Sequence, residues 1–78
     1  MSGIEQLVKM ANDIAAFFRS EPDHAAAVAG VAAHIRRYWE PRMRRHIHAH
    51  LAAGGAGLDV LAREGVAQLA QDDPAARG

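Results

Sequence analysis

The side chains best suited to binding chemistry lie in one stretch of the chain, residues 34–50. Five of the nine basic residues fall within residues 36–45, and all five are arginines, whose planar guanidinium groups bind carboxylates or phosphates through paired hydrogen bonds. Tyr38 and Trp39 lie among them, and such amphipathic aromatic residues are enriched at the centres of protein–protein interfaces. The stretch therefore predicts a protein-docking surface. The alternative interpretation is a solvated charged face with Tyr38 and Trp39 in the core.

A corner at Pro41 should present this surface, because proline ends the preceding helix and is favoured at the first position of the next. On an earlier segment, Met10 and Phe17 lie one heptad apart and widen the apolar arc beyond what packing on one neighbour requires. The residues that we predict to contact a partner are Met10, Phe17, Arg36, Tyr38, Trp39, Pro41, Arg42, Arg44 and Arg45.

Two other kinds of site fit this stretch less well. Residues 36–50 hold five Arg and one Glu, a net of +4, but the rest of the chain carries −4 and the formal net charge is zero. Nucleic-acid-binding domains are usually clearly basic, so we predict no nucleic-acid partner. His46 and His50 lie one helical turn apart, but zinc usually needs a third protein ligand, and no cysteine or suitably spaced acid occurs here. We predict no metal, and we interpret His50 as a hydrogen-bonded core or interface histidine.

No arrangement typical of an active site occurs in the sequence. We find no paired carboxylates in a cleft, no Ser-His-Asp set in a recognisable context and no glycine-rich phosphate loop following a strand. The run Gly54-Gly55-Ala56-Gly57 has no strand before it, so we interpret it as a helix stop and a turn. We predict no catalytic residue and no cofactor-binding residue in this chain.

All of these residues should lie on helices or between them, because the sequence shows helical periodicity and no strand pattern or hairpin turn. We predict an all-α fold, either a small four-helix bundle or an orthogonal helical array, forming a single domain over residues 1–78. The polar tail is expected to be frayed. The predicted helices are about 4–19, 23–39, 41–53 and 58–70, and the predicted tail is 71–78.

Three local details follow from the same patterns. Ser20, with an acid three residues later, fits a helix N-cap with a capping box. Gly30, which is costly inside a helix, predicts a close backbone approach. On a helical wheel of the third helix, His48 points away from the core and Arg44 lies at the edge of the buried arc.

Length and composition indicate a protein that needs a partner. A chain of 78 residues without cysteine has no disulfide to stabilise it, and domains of this size bury only about 60% of the surface that the unfolded chain exposes. We expect the remaining apolar surface to be covered by a partner, or by self-association of the isolated chain. The absence of cysteine favours a reducing compartment, and the amphipathic first segment suits neither a signal peptide nor a membrane span, so we predict a cytoplasmic protein.

Residues 7–18 (LVKMANDIAAFF) and 27–45 (AVAGVAAHIRRYWEPRMRR), with the GGAGL turn at 54–58, resemble the delta subunit of the soluble, molybdenum-containing, NAD-dependent formate dehydrogenases. The resemblance implies a bacterial cytoplasmic complex whose other subunits carry the molybdenum cofactor, iron–sulfur clusters and FMN. It further implies that this chain is a non-catalytic accessory subunit. Such a subunit would dock on the large catalytic subunit and support assembly, cofactor loading or stability. The alternatives are a transient maturation chaperone for the molybdenum enzyme and an unrelated protein-binding helical module.

Overall fold

The architecture is given by a computed structural model, which describes residues 3–77. Within these residues, four α-helices follow one another, and a short 3-10 helix comes after the last of them. No strand occurs in the described residues, so the predicted all-α fold class is confirmed. The helices are α1 (Gly3–Phe18), α2 (His24–Tyr38), α3 (Pro41–Ala52), α4 (Val60–Ala70) and the 3-10 helix (Pro74–Arg77).

The centre of the molecule is the contact between α2 and α4, the most extensive contact between any two helices. A Cβ added at Gly65 of α4 would overlap the side chain of Val31 on α2. The glycine therefore allows the two helices to approach closely. Helices α1 and α3 pack around this pair and complete one small core, which consists of Leu7, Ala11, Ala15, Val31, Ala32, Ile35, Trp39, Ile47, Leu58, Ala62, Val66 and Leu69.

The glycine run after α3 ends the helix as the sequence predicts. The N–H of Gly55 donates to the carbonyl of His50 at 2.8 Å, and the N–H of Gly54 donates to the carbonyl of Leu51 at 3.0 Å. This pair of bonds is a Schellman cap, which needs a positive φ at the residue after the C-cap, and Gly54 supplies it with φ 121°. Gly55 follows with φ 65°. Because glycine adopts such angles at little steric cost, the interpretation as a helix stop is confirmed.

Asn12 on α1 fixes the turn that leads into α4. Its Nδ2 donates to the carbonyl of Gly57 at 2.9 Å, and its Oδ1 accepts from the N–H of Asp59 at 2.9 Å. Asp59 is the N-cap of α4, and its side chain accepts from the N–H of Ala62. One polar side chain on α1 thus sets the start of a helix that lies far along the sequence.

Two local predictions were wrong. The N-cap of α2 is Asp23, whose side chain accepts from the N–H of Ala25 at 3.1 Å, and not Ser20. At Gly30, a Cβ would lie 2.5 Å from a ring carbon of Phe18. The space at this glycine is therefore taken by an aromatic side chain from α1 and not by another backbone.

The C-terminal residues, expected to be frayed, include the ordered 3-10 helix Pro74–Arg77, which packs on α3. Asp73, which precedes this helix, is only 1% exposed. The polar composition of the tail suggested fraying, but composition does not show that one carboxylate has buried partners elsewhere. None of the helices in residues 3–77 is long and apolar enough to cross a membrane.

Candidate partner-docking surface

The corner between α2 and α3 consists of two residues in extended conformation. Trp39 ends α2 with φ −93° and ψ 135°, and Glu40 precedes α3 with φ −70° and ψ 161°. Pro41 is the first residue of α3, where its fixed φ suits a helix and its missing N–H costs nothing. The chain therefore changes direction at the position that the proline predicts.

Trp39 lies in the core, with 4% of its surface exposed. Trp39 was predicted to contact a partner, and its burial corrects that prediction, because a partner cannot reach this side chain in the folded protein. Its neighbour Tyr38 is 65% exposed. The two adjacent aromatic residues thus have different roles, one inside the protein and one on the surface.

Arg44 is the second correction, because only 6% of this predicted partner-contacting residue is exposed. Its Nε donates to Oδ2 of Asp73 at 2.9 Å, and its Nη1 donates to the carbonyl of Trp39. The guanidinium group is therefore occupied by two internal acceptors and contributes to the shape of the corner instead of binding a partner.

His48 was expected to point away from the core, and this was also wrong. The side chain is buried, and its Nε2 donates to Oδ2 of Asp73 at 2.9 Å. Its Nδ1 is buried without a hydrogen-bond partner. Sequence reasoning missed this residue and Asp73, and no local pattern signals the pair, because 25 positions separate them along the chain.

Asp73 is the common acceptor of this buried charge cluster, which we define as Arg44, His48 and Asp73. Burial by itself raises the pKa of the Asp73 carboxyl. Hydrogen bonds from His48, from the N–H of Ala75 and from Arg44, together with the Arg44 charge, outweigh burial and lower the pKa from 3.8 to about 2. Arg36 on α2 adds a more distant positive charge, with Nη1 4.0 Å from Oδ1.

The remaining side chains of the corner are exposed and form what we call the arginine corner. Arg42 and Arg45 form no ion pair within the part of the chain that the structure describes. Arg37, which was not among the predicted contact residues, places its guanidinium carbon 5.6 Å from the centre of the Tyr38 ring, in a cation–π contact. The arginine corner consists of Arg36, Arg37, Tyr38, Pro41, Arg42 and Arg45.

A second exposed surface lies where α1 ends and α4 begins. Phe17 is 77% exposed and Val60 is 72% exposed. The ring of Phe17 packs edge-on against Phe18, with the ring centres 5.2 Å apart. Phe18, Val60 and Leu61 share an open cleft. We call these four residues the apolar end. Met10, predicted to act together with Phe17, is half-buried and packs against the core.

The histidines of α3 do not converge on a metal site. His50 is half-buried, and its Nε2 donates to the carbonyl of Ala56 at 2.7 Å, which confirms its interpretation as a hydrogen-bonded histidine. Within residues 3–77, no group of three or more His, Asp or Glu side chains is arranged to hold a metal ion.

Fold and site together define a small all-α protein that exposes arginines at one corner and apolar side chains at another end. The chain belongs to the family described as NADH-dependant formate dehydrogenase delta subunit FdsD, whose model matches residues 6–66. The resemblance read from the sequence is therefore confirmed. The matched segment contains the whole arginine corner and ends before Asp73. Comparison with curated proteins and with solved structures gave no significant match.

Proposed function

We propose that this chain is a non-catalytic accessory subunit of a cytoplasmic NAD-dependent formate dehydrogenase and docks on its large molybdenum-containing subunit through the arginine corner. The family match over residues 6–66 carries the proposal. The molybdenum cofactor, the iron–sulfur clusters and FMN belong to the other subunits, and this chain supports assembly, cofactor loading or stability of the enzyme.

The physical support for docking is the state of the exposed arginines. Arg42 and Arg45 lie on the first turns of α3, are exposed, and have no ion-pair partner in the described residues. A guanidinium group binds a carboxylate on another protein with defined geometry, and charge complementarity of this kind selects the partner and fixes its orientation. Tyr38 adds a large aromatic surface beside these charges, as found at interaction hot spots.

The apolar end supplies a second contact to the same partner. Phe17 and Val60 are large apolar side chains left on the surface. About four turns of helix separate them from the arginine corner, because α2 with its 15 residues spans about 22 Å between the two regions. A partner that reaches both regions must be large, which suits the catalytic subunit better than a short peptide.

The test is charge reversal at the arginine corner. The double variant Arg42→Glu, Arg45→Glu should release the chain from the purified complex, because like charges then face the acidic groups of the partner. The matched control exchanges the exposed ion pair of α1, as Lys9→Glu with Asp13→Lys, which retains the pair and should leave co-purification unchanged. Unchanged co-purification of the Arg42→Glu, Arg45→Glu variant would contradict the proposed surface.

A second measurement separates a permanent subunit from a transient chaperone. A permanent subunit is present in a fixed ratio to the large subunit in the mature, active enzyme, which native mass spectrometry detects. A chaperone leaves once the cofactor is loaded. Molybdenum content of the enzyme produced with and without this chain then shows whether its role includes cofactor loading.

A further inference from the structure

We infer that residues 71–77 form a latch that holds the arginine corner in its docking shape, with Asp73 as the positioning residue. The inference rests on the proposed docking function and deepens it. It assigns a role to residues that lie beyond the segment matched by the family model, which ends at residue 66.

The side chain of Arg44 is buried and always positively charged. A buried guanidinium group needs an anion beside it, because an unpaired charge in the interior is strongly unfavourable. Within residues 3–77, the carboxylate that forms an ion pair with Arg44 is that of Asp73. The latch therefore supplies the counter-charge that allows α3 to bury this arginine.

Arg44 connects Asp73 to the residues between α2 and α3. Arg44 donates with Nε to Asp73 and with Nη1 to the carbonyl of Trp39, the residue that ends α2. One rigid guanidinium group therefore joins the tail to the extended residues between α2 and α3. Loss of the bond to Asp73 should therefore also weaken the bond from Arg44 to the Trp39 carbonyl.

Asp73 lies near charged side chains of both helices of the corner. Its Oδ2 accepts from Arg44 and His48 on α3, and its Oδ1 lies 4.0 Å from Nη1 of Arg36 on α2. A carboxylate in this position, together with the core contacts of Ile35 and Ile47, holds the angle between α2 and α3. That angle sets where Tyr38 on α2 stands relative to Arg42 and Arg45 on α3.

Backbone hydrogen bonds of the tail hold the carboxylate in place. The N–H of Asp73 donates to the carbonyl of Leu69 at 3.1 Å, and Oδ1 of Asp73 accepts from the N–H of Ala75 at 3.0 Å. The same side chain thus starts the 3-10 helix and pairs with Arg44. The neighbouring Asp72 is exposed, and it provides a control with the same chemistry at the next position.

The experiment compares Asp73→Asn with Asp72→Asn in the full chain. Trp39 is the only tryptophan and is buried, so its fluorescence reports directly on the corner. We expect Asp73→Asn to shift the emission of Trp39 to longer wavelength and to weaken binding to the purified large subunit at least tenfold, with helix content by circular dichroism unchanged. Asp72→Asn should match the wild type in all three measurements.

A second variant keeps the inference testable if Asp73→Asn does not fold. Arg44→Lys retains the buried positive charge, but one ammonium group cannot reproduce the fork that reaches Asp73 and the Trp39 carbonyl together. It should fold, shift the Trp39 emission and weaken binding. Combined with Asp73→Asn, it should weaken binding no further than either change alone, because both act through one connection.

The outcomes separate this inference from the proposed function. The latch is ruled out if Asp73→Asn or Arg44→Lys folds and keeps wild-type Trp39 emission and wild-type affinity. If the wild-type chain does not bind the large subunit, the proposed function fails instead, and the Trp39 emission of the free chain still decides whether residues 71–77 hold the corner. Altered emission with unchanged affinity would also overturn the latch as a docking device.

Discussion

The burial of charged and apolar side chains differs between the two ends of α2. Near its start, the apolar side chains Phe17 and Val60 are exposed, and the ion pair between Arg19 and Asp59 lies at the surface. Near its end, Trp39 is buried, and the ion pair between Arg44 and Asp73 is buried with it. The region near the start of α2 therefore exposes apolar side chains, which a monomer usually buries. The region near its end buries an ion pair, which a monomer usually exposes.

Because of this difference, the stability of the two regions should depend on charged side chains to different degrees. An exposed ion pair contributes little, because water competes for both groups and salt screens them. Removing one member of a buried ion pair is strongly destabilising, because the group that remains is left charged and desolvated. The corner should therefore be the more fragile region when single charges are removed, and the apolar end the more tolerant one.

The largest expected effect is that of Arg44→Met, which removes one partner from the buried charge cluster. Asp73, which is 1% exposed, then loses its ion pair with Arg44, and we expect a loss of about 3–5 kcal/mol in the free energy of unfolding. Urea unfolding followed by Trp39 fluorescence measures this loss. A change below about 1 kcal/mol, the range of surface pairs, would remove the contrast between the two ends.

The next effect is the acid sensitivity of the corner. The pKa of Asp73 is lowered from 3.8 to about 2 in the folded protein, so its stabilising contribution is fully present above pH 3.8 and is lost as the pH falls through about 2. The contribution at neutral pH is about 2 kcal/mol. Unfolding curves measured between pH 5 and pH 2 should show this loss in the wild type.

Asp73→Asn is the control for this pH dependence, because asparagine does not titrate. Its stability curve should be lower than that of the wild type at pH 5 and should fall less steeply toward pH 2. Parallel curves for the two proteins would mean that other carboxylates cause the acid sensitivity.

The smallest effect is expected from Arg19→Met at the other end of α2. This change breaks the surface pair with Asp59, in which the Arg19 side chain is 57% exposed, and it should cost less than about 1 kcal/mol. Asp59 keeps its hydrogen bonds to Ala62 and Asn12, so α4 retains its N-cap. High salt should reduce the effect further, whereas a loss as large as that of Arg44→Met would refute the comparison.

The helices were predictable because local residues define them. Pro41 starts α3, Gly54 and Gly55 end it, and the recurrence of apolar residues marks each helix in between, so the predicted bounds lie within two residues of the observed ones. The exposure of Phe17, on the shoulder of the α1 stripe, also follows from spacing alone. These features need only the geometry of one helix and its ends.

Tertiary structure alone decided which charges are buried. A helical wheel gives α3 one buried arc, but the C-terminal residues cover a second arc and take Arg44 and His48 into the interior. Asp73, the residue that makes this burial favourable, lies 29 positions from Arg44. Spacing describes the faces of one helix, whereas the burial of a charge depends on where its counter-charge stands in space, and that position exists only after the chain has folded.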